Sequence, residues 1–404
     1  MSSSPAGTPP TEMPSDIMVT GGRIFDGQRF LEKHVLVVEG GKIAAILPED
    51  AALPSLPRID AQGALVAAGF IDLQVNGGGG VLLNNQPTAD GIATICAAHA
   101  RFGTTSLLAT LITDTVELRT TVLSAGRKAH EARIPGFLGL HLEGPHLSIA
   151  RKGTHDPALI RPMTEADLAV LVEAAGSFGK ALITIAPENV TPQQVAALKA
   201  AGYVVSLGHT DVGAATVLAY ADAGASMVTH LFNAMSQLGN REPGVVGAAL
   251  SDRRLSCGLI ADGFHVDPVS MRVAVRAKQG PARIFLVTDA MSTIGTDQTG
   301  FNLNGRQVYR RDGRLTLADG TLAGADIDMM SCVRFVHERL NLPLAEALNM
   351  ASLYPAEAIG ADTKGQLMAG RDADFILLDD KLNLLSTWIG GMPVHGAKSP
   401  VFVS

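Results

Sequence analysis

Four apolar, strand-like runs in this chain end in a residue able to bind a metal or carry a proton. They are Phe137-Leu-Gly-Leu-His-Leu-Glu143, Tyr203-Val-Val-Ser-Leu-Gly-His209, Ser226-Met-Val-Thr-His230 and Ile284-Phe-Leu-Val-Thr-Asp289. One carboxylate, two imidazoles and a late aspartate, each closing its own strand, require a fold that gathers strand ends at one place. A parallel barrel does this, because its active site is built at the C-terminal ends of its strands.

The rest of the chain supports that architecture. Eight apolar runs read as strands: Leu65–Val75, Thr105–Thr110, Phe137–Leu142, Ala181–Ala186, Tyr203–Leu207, Ser226–Val228, Cys257–Ala261 and Ile284–Val287. Helical patterns lie between them, as in Glu165–Ala175, Pro192–Ala201 and Pro268–Ala277. Eight strand–helix units over about 290 residues match a TIM (β/α)8 barrel of the metal-dependent hydrolase type. The runner-up, a doubly wound sheet, calls for a GxGxxG loop after its first strand. Asn76-Gly-Gly-Gly-Gly80 lacks that spacing. Short strands between Gly-Gly turns over Asp16–Asp60, with Ala373–Leu378 and Pro393–His395 near the other terminus, read as one small sheet domain. The expected division is an unstructured start over 1–15, a β-sandwich from 16–66 plus 364–404, and a barrel over 67–363. Phe301–Leu322, with Asp312-Gly313 as its turn, is expected to form a hairpin overhanging the barrel mouth.

Composition removes several function classes. The formal net charge of -7 and 4% aromatic content argue against a nucleic-acid-binding protein, which needs a basic field and stacking platforms. No apolar run is long enough to span a membrane, and the first residues carry no signal-peptide pattern. The three cysteines show no CxxC spacing, so neither a disulfide framework nor a thiolate metal site is expected, and a reducing cytoplasm fits best.

A catalytic zinc-type site takes about three imidazole or carboxylate ligands and keeps one position open. Glu143, His209 and His230 supply that set. Taken singly, each has a bland reading, a solvated carboxylate or a structural histidine; three at equivalent places in three strand–helix units point to a metal. Asp289 is placed to take a proton from water and return it to a leaving group, although an aspartate there also suits a helix cap. His155, on a long loop, is the candidate oxyanion donor, while His141 and His146 read as supporting or packing residues. Asn233, Arg241 and His265 follow the sixth and seventh strands. Arg241 and His265 offer charge-assisted donors for a phosphate in an acidic protein, against the alternative that Arg241 makes a surface ion pair.

These segments resemble the N-acetylglucosamine-6-phosphate deacetylases of the amidohydrolase superfamily. The resemblance rests on Gly69-Phe-Ile-Asp-Leu-Gln-Val-Asn-Gly77, His141-Leu-Glu-Gly-Pro-His146, Lys152-Gly-Thr-His155, Ala186-Pro-Glu188, Gly208-His-Thr210, Thr229-His-Leu-Phe-Asn-Ala-Met235, Arg241-Glu-Pro-Gly244, Ile260-Ala-Asp-Gly-Phe-His265 and Leu286-Val-Thr-Asp-Ala290. It implies metal ligands Glu143, His209 and His230, Asp289 as general base and acid, and His155 polarising the acetamide carbonyl. It further implies sugar-phosphate contacts from Asn233, Ala234, Arg241 and His265, with Arg241 and His265 reaching the neighbouring subunit's site in a homodimer. The expected product pair is glucosamine 6-phosphate and acetate. Alternatives are a deacetylase of N-acetylgalactosamine 6-phosphate, a cyclic-amide hydrolase or a non-catalytic sugar-phosphate-binding barrel.

Two departures from related patterns matter. Many amidohydrolases carry His-x-His on the first strand and hold two metals; here the place reads Gln74-Val-Asn76. Amide oxygens are poor ligands for a zinc-type ion. One divalent metal per subunit is therefore expected, Zn²⁺ first, with Fe²⁺ and Co²⁺ accepted by the same ligands. Gly324-Ala-Asp-Ile-Asp-Met329 places acid where a small hydroxyl is expected, close to a phosphorylated sugar.

Overall fold

The computed structural model describes residues 16–396; the expected unstructured start and the last eight residues of the C-terminal stretch lie outside them. Gly69 divides the longest of the expected strands. Leu65–Ala68 belongs to a terminal sheet and Phe70–Val75 opens the barrel. A Cβ on Gly69 would sit 2.2 Å from the Thr105 side chain, so only glycine lets the chain pass there undisturbed.

The barrel strands are Phe70–Val75, Thr104–Ile112, Phe137–Glu143, Lys180–Ile185, Tyr203–Leu207, Met227–Val228, Ser256–Leu259 and Ile284–Leu286, each parallel to the next in chain order. The cylinder closes where Ala290 pairs in parallel with Val75. The closing bonds run from Asp289 N to Gln74 O at 3.0 Å and from Asn76 N to Ala290 O at 2.9 Å. The last and first strands are thus held together at the residues that carry candidate chemistry. Strands buried on both faces are rich in apolar residues, which is why the sequence exposes them. Intervening helices start at caps: Thr164 and Thr191 each form a reciprocal capping box, satisfying backbone donors that a helix end leaves free.

Both ends of the described chain enter a two-sheet unit. Ile17–Thr20, His34–Glu39, Lys42–Pro48 and Arg58–Asp60 form a four-stranded sheet. A six-stranded sheet pairs Phe375–Leu378 antiparallel with Leu65–Ala68 and adds Arg23–Phe25, Phe30–Leu31, Leu384–Ile389 and Met392–His395. The two sheets share one core, in which Ile17, Leu36 and Val38 meet Val66, Phe375 and Trp388. Phe375 and Trp388 stack at 5.3 Å, a contact worth about 1 kcal/mol beyond its burial.

The expected hairpin after the eighth strand is instead a four-stranded meander: Gly300–Leu303, Arg306–Arg311, Arg314–Thr316 and Leu322–Ala325. Two turns, Asn304-Gly305 and Asp312-Gly313, carry positive φ at both residues, as two-residue hairpin turns require. The sequence reading used only the second. The meander packs its own apolar face, Leu303, Val308, Leu315 and Ala323, against Leu82, Ile112 and Met291 beside the barrel mouth.

Candidate active site

Glu143 is the last residue of the third strand; His209 and His230 follow the fifth and sixth. Their atoms converge. Glu143 Oε1 lies 3.2 Å from His209 Nε2 and 3.1 Å from His230 Nε2, and the two imidazole nitrogens are 3.0 Å apart. All three side chains are buried. His209, His230 and Asp289 each have φ in the left-handed region, at 49°, 28° and 52°. That conformation costs a non-glycine residue about 1–3 kcal/mol. It turns each side chain off the end of its strand and into the cavity.

The donor chemistry fits a divalent cation. The Arg151 carbonyl accepts the Nδ1 proton of His209 at 2.8 Å, leaving Nε2 with its lone pair toward Glu143 and His230. This is how a second partner fixes the tautomer of a ligand histidine. Burial opposes the Glu143 charge, but the His209 and His230 imidazoles against it hold its carboxyl well below the usual range. Burial alone would lower His230; Glu143 outweighs it and raises the imidazole. Three nitrogen and oxygen donors in mutual contact, needing positive charge among them, are what a cation supplies. Glu143, His155 and His209 also lie close enough to bind one ion together, which puts His155 at the edge of the same centre.

Asp289 stands beside that cluster, linked through the first strand. Gln74 Nε2 donates to Glu143 Oε1 at 3.2 Å and to Asp289 Oδ1 at 3.1 Å, and Asn76 Nδ2 donates to Asp289 Oδ1 at 2.7 Å. Both amide bonds fall on Oδ1; among the described residues no protein hydrogen bond falls on Oδ2. Burial and the nearby Glu143 charge push the Asp289 carboxyl up to about 6. Below the site, Asp72 accepts from Thr288 Oγ1 at 2.5 Å and from Gln74 N at 3.2 Å, tying the first strand to the residue before Asp289.

A cavity of about 230 Å³ opens over these groups. Asn233, Ala234, His155 and His265 line it, with Gly153, Thr154, Thr321 and Leu322. Burial and the neighbouring His209 push the His155 imidazole down to about 3, so it is neutral. His265 Nδ1 donates to Asp262 Oδ2, 2.5 Å away, with His265 on the cavity wall. Arg241 is exposed on the loop after the sixth strand and does not line this cavity. His141 is a core residue: its Nε2 meets Thr184 Oγ1 at 2.7 Å, which meets Thr229 Oγ1 at 2.7 Å. His146 is held at Nδ1 by the Arg161 carbonyl. The acids of Gly324–Met329 are committed elsewhere: Asp326 pairs with Arg310 at 2.7 Å, and Asp328 caps the helix Met329–Glu338. Neither lines the cavity. Ile112, Met291, Thr321 and Leu322 were missed as cavity residues, because apolar and meander positions carry no chemical signature in sequence.

The sequence pattern of the amidohydrolase family matches residues 65–396, and that of the NagA composite domain matches residues 18–66. This chain is a member of the amidohydrolase family. It is 40% identical over 388 residues to an N-acetylgalactosamine-6-phosphate deacetylase of Shewanella sp. strain ANA-3, covering 96% of this chain and 98% of that one. It is 35% identical over 372 residues to an N-acetylglucosamine-6-phosphate deacetylase of Haemophilus influenzae, covering 91% and 96%. The crystal structure of N-acetylglucosamine-6-phosphate deacetylase from Pasteurella multocida superposes with a TM-score of 0.90 at 36% identity, covering 94% of this chain and 99% of that one.

Proposed function

We propose that this amidohydrolase removes the acetyl group from N-acetylglucosamine 6-phosphate, giving glucosamine 6-phosphate and acetate. The observation that carries the reading is the pairing of a three-donor cation site with a proton-carrying aspartate under one cavity. A divalent cation held by Glu143, His209 and His230 supplies Lewis acidity and brings water's pKa to roughly 7, within reach of a carboxylate base. Zn²⁺ is the first assignment, with Fe²⁺ and Co²⁺ acceptable to the same donors. One ion per subunit suffices, because the amide oxygens of Gln74 and Asn76 are poor ligands for a zinc-type ion where a second site would need imidazoles.

Asp289 takes the water proton on Oδ2 while Gln74 and Asn76 hold Oδ1. His155 donates to the acetamide oxygen, where negative charge develops as the carbonyl is attacked. Asp289 then returns the proton to the departing nitrogen, so acetate and a free amine leave together. Asn233, Ala234 and His265 contact the sugar phosphate from the cavity wall. Arg241 is assigned to the neighbouring subunit's cavity in a homodimer, consistent with its exposure outside its own. The three buried, unpaired cysteines fit a cytoplasmic setting, and no helix among the described residues is long and apolar enough to cross a membrane.

The 40% identity to the Shewanella N-acetylgalactosamine-6-phosphate enzyme favours a second reading, the C4 epimer as substrate. Acetate release from both N-acetylhexosamine 6-phosphates decides between them. The proposal expects higher kcat/KM on the glucosamine epimer; a preference for the galactosamine epimer replaces it, and no release from either removes the deacetylase reading.

A further inference from the structure

The loop that carries His155 leaves the barrel after the third strand and makes one helical turn at Ile149–Arg151. Up to that turn it is tied down: Ser148 N donates to the His209 carbonyl at 2.9 Å, and the Arg151 carbonyl meets His209 Nδ1. Residues 152–155 run on from there, with Gly153, Thr154 and His155 lining the cavity. Within this stretch His155 N donates to the Lys152 carbonyl at 3.0 Å, and the imidazole meets Thr113 Oγ1 at 2.7 Å. One peptide group matters most. The plane joining Thr154 to His155 is rigid, so the direction of its carbonyl sets how the His155 side chain leaves the backbone.

That carbonyl accepts a hydrogen bond from Arg306 Nη2, which comes from the meander. A carbonyl cannot donate, so the direction of this bond is fixed. Arg306 opens the strand Arg306–Arg311, where alternate residues share a face. On that face Val308 is buried in the apolar cluster beside the barrel mouth, and Arg310 pairs with Asp326 at 2.7 Å. Arg306 therefore points the same way from a packed base. Arg310 has a carboxylate, whereas no carboxylate among the described residues lies within ion-pair distance of the half-buried Arg306. The meander meets the loop a second time. Bonds from Thr321 first, and the Lys152 charge in addition, hold the Asp319 carboxyl below its usual range. Thr321, Leu322 and Gly324 then line the same cavity as residues 153–155.

We propose that Arg306 is a positioning residue for His155: by holding the Thr154 carbonyl, it fixes the peptide that aims the imidazole into the cavity. This rests on the assignment of His155 as the carbonyl's hydrogen-bond donor in deacetylation, but the hold on the loop can be read without turnover.

The test is kinetics of the zinc-loaded enzyme on N-acetylglucosamine 6-phosphate, with Arg306→Met and Arg306→Lys each made in the wild type and in His155→Gln. Methionine keeps an apolar stem and removes every donor. It should lower kcat by about 10–100-fold, the scale for a misplaced catalytic group, with KM within about twofold. In His155→Gln the same change should cost less than about twofold, because residues that act as one unit are not additive. Arg306→Lys keeps one flexible donor and should lose only about threefold, again only where His155 is present. Trypsin cleavage after Lys152 reads the loop directly and should be about tenfold faster in Arg306→Met than in the wild type. Wild-type kcat or wild-type cleavage in folded Arg306→Met overturns the proposal, and so does an equal loss in both backgrounds. If Arg306→Met fails to fold, Arg306→Lys decides by the same comparison: no loss, or a loss that persists in His155→Gln, overturns it. Absence of acetate release by the wild type would instead remove the deacetylase reading, while the cleavage rates still decide whether Arg306 holds the loop.

Discussion

Two aspartates in this barrel, Asp167 buried and Asp289 half-buried, face opposite surroundings. Asp167, which starts the helix after the third strand, accepts from Arg119 at 2.9 Å, from two nitrogens of Arg161 at 2.5 and 2.7 Å, and from the Thr164 backbone and hydroxyl. Burial opposes its charge, but those donors hold its carboxyl far below the usual range. Asp289 has two neutral amides and a second carboxylate nearby, and its carboxyl moves the other way. A saturated carboxylate can neither gain nor give a proton near neutrality, so Asp167 fastens helices. A carboxylate left with one free oxygen and a displaced affinity for protons can carry them. Burial alone does not distinguish structure from chemistry; the partners do.

Asparagine substitutions at the two positions should separate stability from turnover. Asp289→Asn is expected to lower kcat by about 100-fold to 10,000-fold, the range for losing a general acid–base group, with metal content unchanged. Its melting temperature in the metal-free protein should stay level or rise, since a buried like-charge contact with Glu143 is relieved. Turnover within twofold of wild type would erase the contrast. Asp167→Asn should do the reverse, destabilising by about 3–5 kcal/mol because Arg119 is left buried without its counter-charge, with kcat preserved in the folded fraction. Because the folded-state affinity of Asp167 for protons is depressed, its stabilisation is full above the unfolded value of 3.8 and fades as pH falls below it. Denaturant titrations at neutral and acid pH should show the gap between wild type and variant closing on acidification; a constant gap would contradict the ion-pair account.

Smaller effects sharpen the outer parts of the site. Arg241→Ala should raise KM for the phosphorylated sugar by about tenfold, the loss of one charge-assisted contact, while leaving turnover of unphosphorylated N-acetylglucosamine nearly unchanged. Equal effects on both substrates would return Arg241 to a surface role. Asp328→Ala should cost only about 1 kcal/mol by thermal unfolding, as for any helix cap, without altering substrate preference. A changed preference would mean that this acid does reach the sugar.

Much of the fold was readable because it repeats one physical signal. Doubly buried parallel strands are mostly apolar, and several end at a polar residue or glycine, so eight units and their site end stood out. Glu143, His209, His230 and Asp289 were conspicuous because ligand-type side chains interrupt that pattern at equivalent places. Leu65–Val75 misled, since nothing in its apolar first half marks where one sheet hands over to another; Gly69 does so only through its approach to Thr105. Gln74 and Asn76 were read for the ligands they fail to be, whereas their contribution is the bonds they give to Asp289. Thr113 was silent, an ordinary threonine that only the fold brings against His155. His265 was expected to serve the neighbouring site; in this chain it lines the cavity.

The central claim is a single-cation deacetylase centre formed by Glu143, His209 and His230 under Asp289. Chelated enzyme titrated with Zn²⁺ while acetate release from N-acetylglucosamine 6-phosphate is followed tests it most directly. Activity should be absent without metal, rise in proportion to added ion and level off at one equivalent per subunit. Release that persists in the chelated protein, or that levels off only at two equivalents, would contradict the account.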